Sequence, residues 1–150
     1  MQTIKNHMNR KGFTLIELLV VIGILAVLLA ITLIAINPAE QLQQAEDTKR
    51  RSDANAILNA LSQFSVDNNG TYPAGINTTP APIADTGADI CGAVVPEYIA
   101  ALPRDPTVAD GADVTDCDAA YATGYTVSAA GGRVTVNAPN AQNGTITITR

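Results

Sequence analysis

One carboxylate, Glu17, stands inside an otherwise uncharged apolar run, and two cysteines, Cys91 and Cys117, stand 26 positions apart in a polar region. These are the residues whose type and setting point to chemistry. A carboxylate among apolar residues costs roughly 2.5–3.5 kcal/mol to insert into lipid, so it marks a partner or a function. Snorkelling to the interface is the competing explanation. The cysteines are the only pair, and an oxidising compartment favours a bridge between them. Two free thiols are the alternative. Metal ligation by the cysteines is disfavoured because CxxC spacing is absent. The single histidine, His7, lies in a short basic leader, and no nucleophile–base pair, phosphate loop or metal cluster stands out. The sequence therefore reads as non-enzymatic.

The elements around Glu17 explain its setting. Residues 1–12 carry Lys5, Arg10 and Lys11 and no acid, and Phe13 to Ile36 is a run of 24 residues with one charge. At about 1.5 Å per residue such a helix reaches roughly 36 Å, enough for a hydrocarbon core about 30 Å thick. It is apolar on every side, so it is not the face of a soluble amphipathic helix. The basic leader places the N-terminus in the cytoplasm and the chain beyond residue 37 outside. A secretory signal peptide would have a shorter apolar stretch ending in a small-x-small site, and no Ala-x-Ala occurs between residues 20 and 42. The whole chain has 150 residues, 9 Lys+Arg against 14 Asp+Glu, and no Trp. That acidic balance argues against a surface built to grip phosphate backbones.

The stretch Lys11-Gly12-Phe13-Thr14-Leu15-Ile16-Glu17-Leu18-Leu19 resembles the cleavage and methylation signature of type IV pilins and type II secretion pseudopilins. The resemblance implies that a prepilin peptidase cuts between Gly12 and Phe13 and methylates the new amine of Phe13. It also gives Glu17 an assembly role, neutralising the α-amine of a neighbouring subunit. Buried charges are tolerable when paired and costly when one partner is removed. Cleavage removes three basic residues and no acid, leaving 6 Lys+Arg against 14 Asp+Glu, a formal −8. Salt or divalent dependence of assembly is therefore expected.

Asn37-Pro38-Ala39-Glu40 reads as a helix restart, and Pro38 removes the donor that would bond back to Ile34. Pilins resembling this chain often carry their helix-breaking proline about four residues earlier, where Ile34 stands here. From 39 to about 66 a helical stripe of Ala54, Ile57, Leu58, Leu61 and Phe64 predicts a face packed under a head. Glu46–Arg50 and Asp47–Arg51 are acid-first i,i+4 pairs. These pairs and subunit contacts explain the Lys49-Arg50-Arg51 trio more simply than nucleic-acid binding. Asp67-Asn68-Asn69-Gly70 ends the helix.

Residues 72–123 read as a long loop with a short helix around Val94–Ala101, fastened by Cys91 and Cys117. The segment from Tyr98 to Pro106, with Leu102-Pro103-Arg104-Asp105-Pro106, is similar to the YxxxLPxDP stretch of major pseudopilins and related pilins. Thr107-Val108 stand where secretion subunits carry Trp-Gly. The resemblance also implies a calcium ion in the adjoining loop, with Asp110, Asp113, Asp116 and Asp118 as oxygen ligands. Their spacing is not that of an EF-hand, and a solvated acidic loop is the alternative. Gly124–Ser128, Arg133–Asn137 and Thr145–Thr149 alternate in the manner of strands, predicting a three-stranded antiparallel meander.

The expected organisation is a leader (1–12), a transmembrane and assembly half-helix (13–36), an amphipathic half-helix (37–69) and a globular head (70–150). The head divides into a loop region (70–123) and a β-meander (124–149). This is a pilin-like α+β fold, with a long N-terminal helix packed against a small antiparallel sheet. The expected function is a structural subunit of a type IV pilus or related filament. A major-pseudopilin-like subunit of a type II secretion system and a bitopic anchor with a binding head are the alternatives. Expected partners are copies of the chain in a helical homopolymer, the prepilin peptidase/methyltransferase, an inner-membrane assembly platform, and lipid before assembly. The expected location is the cytoplasmic membrane in a single pass, then a periplasmic or cell-surface filament.

Overall fold

The computed structural model describes residues 12–108 and 112–150. Helix α1 (Leu15–Ile36) is followed by α2 (Pro38–Asp67), β1 (Ala81–Ala84), α3 (Cys91–Val94), β2 (Ala122–Ala130), β3 (Arg133–Ala138) and β4 (Ile146–Thr149). The chain divides into two compact units, one ending at Ala39 and one from Glu40 to Arg150. Most of the leader, with His7, and the Asp110 position lie outside the described residues.

In the first unit, α1 is built mainly from leucine, isoleucine, valine and alanine, with Glu17, Gly23 and Thr32 among them and no internal proline. It stops where Asn37 takes φ 44°, a left-handed cap that asparagine tolerates. Helix geometry resumes at Pro38, whose missing N–H is harmless in a first turn. The break thus falls at Asn37, inside the stretch where the proline predicts it.

In the second unit, α2 lays Ala54, Ile57, Leu58 and Leu61 on a four-stranded antiparallel sheet of order β1-β2-β3-β4. The opposing core residues include Ile83, Tyr125, Val127, Val134, Val136 and Ile146, all buried. Inward positions alternate with outward ones along β2 and β3, as a sheet with one covered face requires. β2 and β3 are joined through Gly131 and Gly132, at φ 59° and 77°, which is the two-residue hairpin turn that only such residues adopt easily. The α+β expectation therefore holds, with an apolar N-terminal helix followed by a small antiparallel sheet.

Three expectations are corrected. The three-strand meander is the larger part of a four-strand sheet, because Ala81-Pro82-Ile83-Ala84 pairs with β2. Proline and alanine are poor strand formers, so this strand leaves little trace in local pattern. Residues 70–123 are accordingly more than a loop, holding β1, α3 and a bridge between Leu102 and Val114. The short helix lies at Cys91–Val94 rather than Val94–Ala101, with Pro96 following its end.

Candidate assembly site

At the start of α1, Thr14 has extended backbone angles (φ −81°, ψ 150°) and caps the helix. The Glu17 N–H donates to Thr14 Oγ1 at 3.3 Å, and Glu17 Oε2 accepts from the Thr14 N–H at 3.3 Å and its hydroxyl at 3.2 Å. This reciprocal capping box satisfies two helix-end donors and sets the carboxylate at the positive end of the helix dipole. Oε1 bonds to no described residue. Thr14-x-x-Glu17 carries the pattern of such a box in the sequence itself. Phe13, next to it, is 81% exposed.

No residue of α1 is buried, and α1 is the one helix among the described residues long and apolar enough to cross a membrane. A 22-residue helix with an apolar surface on every side cannot stay in water; lipid or other helices must cover it.

The head is held by a charged cluster that sequence reasoning did not foresee. Arg50 and Asp105 are both 0% exposed. Arg50 Nε donates to Asp105 Oδ2 at 2.8 Å, Nη2 to Asp105 Oδ1 at 3.2 Å, and Nη1 to Asp47 Oδ1 at 2.7 Å. Asp105 also accepts from the N–H and hydroxyl of Thr107, and Asp47 from the N–H groups of Gln142 and Asn143. Hydrogen bonding to Asp105 holds the Arg50 guanidinium more basic than usual, against its burial. Burial pushes both carboxyls up, but their bonds outweigh it. Asn143, Gln142 and Arg50 hold Asp47 below the ordinary range, and Arg50 with Thr107 does the same for Asp105. Arg50 precedes Ala54, Ile57, Leu58 and Leu61 by 4, 7, 8 and 11 positions, which places it on the core face of α2. That spacing was the available signal.

The expected Asp47–Arg51 pair is a correction: Asp47 turns inward to Arg50 and the loop before β4, while Arg51 is exposed. Glu46 does approach Arg50, at 3.6 Å, as a secondary contact. Lys49 donates to Asp53 at 2.7 Å and to the Arg104 carbonyl at 3.2 Å. Two of the three basic residues are thus engaged within the head.

Cys91 and Cys117 are joined by a disulfide with Cα atoms 5.4 Å apart. Asp113 accepts from the Arg104 N–H and Asp116 from the Asp118 N–H. Among the described residues no group of three or more His, Cys, Asp or Glu side chains is placed to hold a metal ion.

Residues 7–33 match the prokaryotic N-terminal methylation motif. The chain is 35% identical to the type II secretion system core protein G of Klebsiella pneumoniae over 104 residues, 68% of this chain and 72% of that protein. The chain belongs to the type IV pilin and type II secretion pseudopilin family. No solved structure matches it. Members of this family are structural subunits, and this pilin-like chain is a membrane-anchored one, with α1 as its anchor. In the pilin-like head, the LPRDP stretch acquires a physical reason. Leu102 and Pro103 are buried, and Asp105 carries the charge that neutralises Arg50.

Proposed function

We propose that this pilin-like chain waits in the cytoplasmic membrane with its N-terminus inside and its head outside. It is cut between Gly12 and Phe13, methylated on Phe13, and polymerised through α1 into a type IV pilus or related filament. The observation that carries the reading is the fully exposed apolar α1 with its one carboxylate seated on the first turn beside Phe13. In the filament, neighbouring α1 helices cover the apolar surface that lipid covers before assembly. Glu17, with Oε1 uncommitted among the described residues, takes the amine of the next subunit. The partners are further copies, the prepilin peptidase/methyltransferase and an inner-membrane assembly platform; the chain itself performs no catalysis. Calcium is a candidate ion for Asp110, Asp113, Asp116 and Asp118 to ligate, tested by the thermal midpoint with the ion added and chelated.

A second reading is favoured by the likeness to the Klebsiella pneumoniae core protein: a subunit of a type II secretion filament. Mass spectrometry of the N-terminus tests the shared part. A species beginning at methylated Phe13 supports it, and an intact Met1 or a cut near residue 35 overturns it. Deletion separates the two readings: loss of long surface fibres favours the pilus, and retention of an otherwise exported protein favours secretion. A simple bitopic anchor would form no filament in either case.

A further inference from the structure

The sequence contains two Asn-Gly dipeptides, Asn69-Gly70 and Asn143-Gly144, and all four residues are exposed. In such a dipeptide the glycine nitrogen stands next to the asparagine carboxamide, and no Cβ on the glycine hinders their meeting. The nitrogen becomes a nucleophile toward that carboxamide only where its N–H is not held elsewhere. At the first dipeptide it is held. Asn69 closes α2 as a left-handed cap at φ 55°, and the Gly70 N–H donates to the Ser65 carbonyl at 2.8 Å. This is the long bond of a Schellman cap. The Asn68 and Thr71 N–H groups on either side are tied as well, to the Phe64 and Asn68 carbonyls at 3.0 and 3.1 Å.

At the second dipeptide the arrangement is reversed. The Asn143 N–H donates to Asp47 Oδ2 at 2.7 Å, which anchors the asparagine to the head. Past that anchor, neither the Asn143 carboxamide nor the Gly144 N–H bonds to a described residue. Gly144 has φ 113°, a conformation that glycine adopts without strain, and a Cβ there would meet nothing within 4 Å. An anchored asparagine, an uncommitted nitrogen and open space therefore coincide at one dipeptide of the two.

We propose that Asn143 is a site of spontaneous covalent modification, at which the Gly144 nitrogen attacks Asn143 Cγ and the asparagine becomes aspartate or isoaspartate. The nitrogen gives its proton to water as the N–Cγ bond forms. The Cγ–Nδ2 bond then breaks, and the amide leaves as ammonia after taking up a proton. Water opens the resulting cyclic imide at either carbonyl. Scission of the N–Cγ bond leaves aspartate. Scission between the Asn143 backbone carbon and the Gly144 nitrogen leaves isoaspartate, with the chain now running through the side chain. Water is the only co-reactant, and no electrons change hands.

The position gives the reaction a consequence. Either product adds a negative charge to the residue whose own N–H holds Asp47, next to Gln142, which bonds Asp47 through its N–H and Glu46 through Nε2 at 2.7 Å. Like charges so placed repel. Isoaspartate also lengthens the backbone by a methylene between the Asp47 anchor and Ile146, which is buried in the core. Modification therefore loosens the grip of this loop on Asp47 and, through Asp47, on Arg50. It is a chemical clock in the head, and it stands apart from the assembly reading, which concerns α1.

The full chain in detergent micelles is incubated in mildly alkaline buffer, digested with trypsin and mapped by mass spectrometry. A parallel sample is incubated in denaturant with the disulfide reduced. In the folded chain, aspartate and isoaspartate are expected to accumulate at 143 about ten-fold faster than at 69, the factor that one backbone hydrogen bond supplies. In the denatured chain the two sites should react at similar rates, because the Ser65 bond is gone. Incubation should also lower the thermal midpoint of the head. Asn143→Gln, which keeps the backbone N–H to Asp47, should hold its midpoint through the same treatment. Conversion at 143 no faster than at 69 in the folded chain, or a ten-fold difference that persists in denaturant, overturns the proposal. A midpoint that does not fall, or that falls equally in Asn143→Gln, overturns it as well.

Discussion

Arg50 Nε lies 2.8 Å from Asp105 Oδ2, with both side chains wholly removed from solvent although they stand 55 positions apart in the chain. The pair joins the core face of α2 to the LPRDP stretch, and Asp47 extends it to the loop before β4. One guanidinium therefore ties three segments that are far apart in sequence.

Removing one member of such a pair leaves a buried charge without compensation. Asp105→Ala should destabilise the head by about 3–5 kcal/mol, and Arg50→Leu by at least as much because it strands two carboxylates. Arg51→Leu, on the exposed side of the helix, should change stability by less than about 0.5 kcal/mol. Chemical denaturation of the full chain in micelles measures this, with tyrosine fluorescence as the probe because the chain has no Trp.

The same pair sets the acid limit of the head. Asp47 and Asp105 titrate below their ordinary value of about 3.9, so their stabilisation is complete above that pH. It is lost as pH falls through the lower folded values. At the alkaline end, burial raises Tyr121 and Tyr125, helped by Asp89 and Asp53 respectively. Their contribution is present below the ordinary tyrosine value of about 10 and declines as pH rises beyond it. Thermal midpoints against pH should show a plateau with falls on both sides, and Tyr125→Phe should soften the alkaline one.

The disulfide closes a span of 26 residues, for which loop entropy predicts roughly 3–4 kcal/mol of stabilisation. Reduction, or Cys91→Ser with Cys117→Ser, should lower the denaturation midpoint of the head by a corresponding amount. The helicity of α1 should not change, and circular dichroism separates the two effects.

Gly124 has φ 85°, and a Cβ there would come within 2.8 Å of both Asp105 Cβ and Val108 Cγ2. Gly124→Ala should therefore cost about 1–3 kcal/mol through strain and displacement of the Asp105 turn. Gly92→Ala, where a Cβ meets open space at an ordinary backbone angle, is the control and should be close to neutral.

Glu17→Ala should stop filament assembly while leaving the chain in the membrane, because α1 becomes more apolar, not less. Thr14→Ala removes only the cap, worth about 1 kcal/mol, and should reduce filament yield far less. Filament mass sheared from cells or assembled in vitro gives the comparison.

The sequence by itself determined the anchor, the processing signature, the helical stripe from Ala54 to Leu61 and the strands after Gly124, whereas Phe64 at the end of that stripe stays half-buried, edge-on to Tyr98. Each is a periodic or contiguous pattern whose physics is local: an unbroken apolar run, a 3.6-residue repeat, an alternation of two. Tertiary structure decided that Ala81-Pro82-Ile83-Ala84 is a strand, because pairing with β2 supplies what its own propensity lacks. It likewise decided that Arg50 is internal. Its spacing from the core residues of α2 allowed that reading, but a guanidinium stays in a core only where distant carboxylates and loop N–H groups converge on it, and no local pattern encodes that convergence.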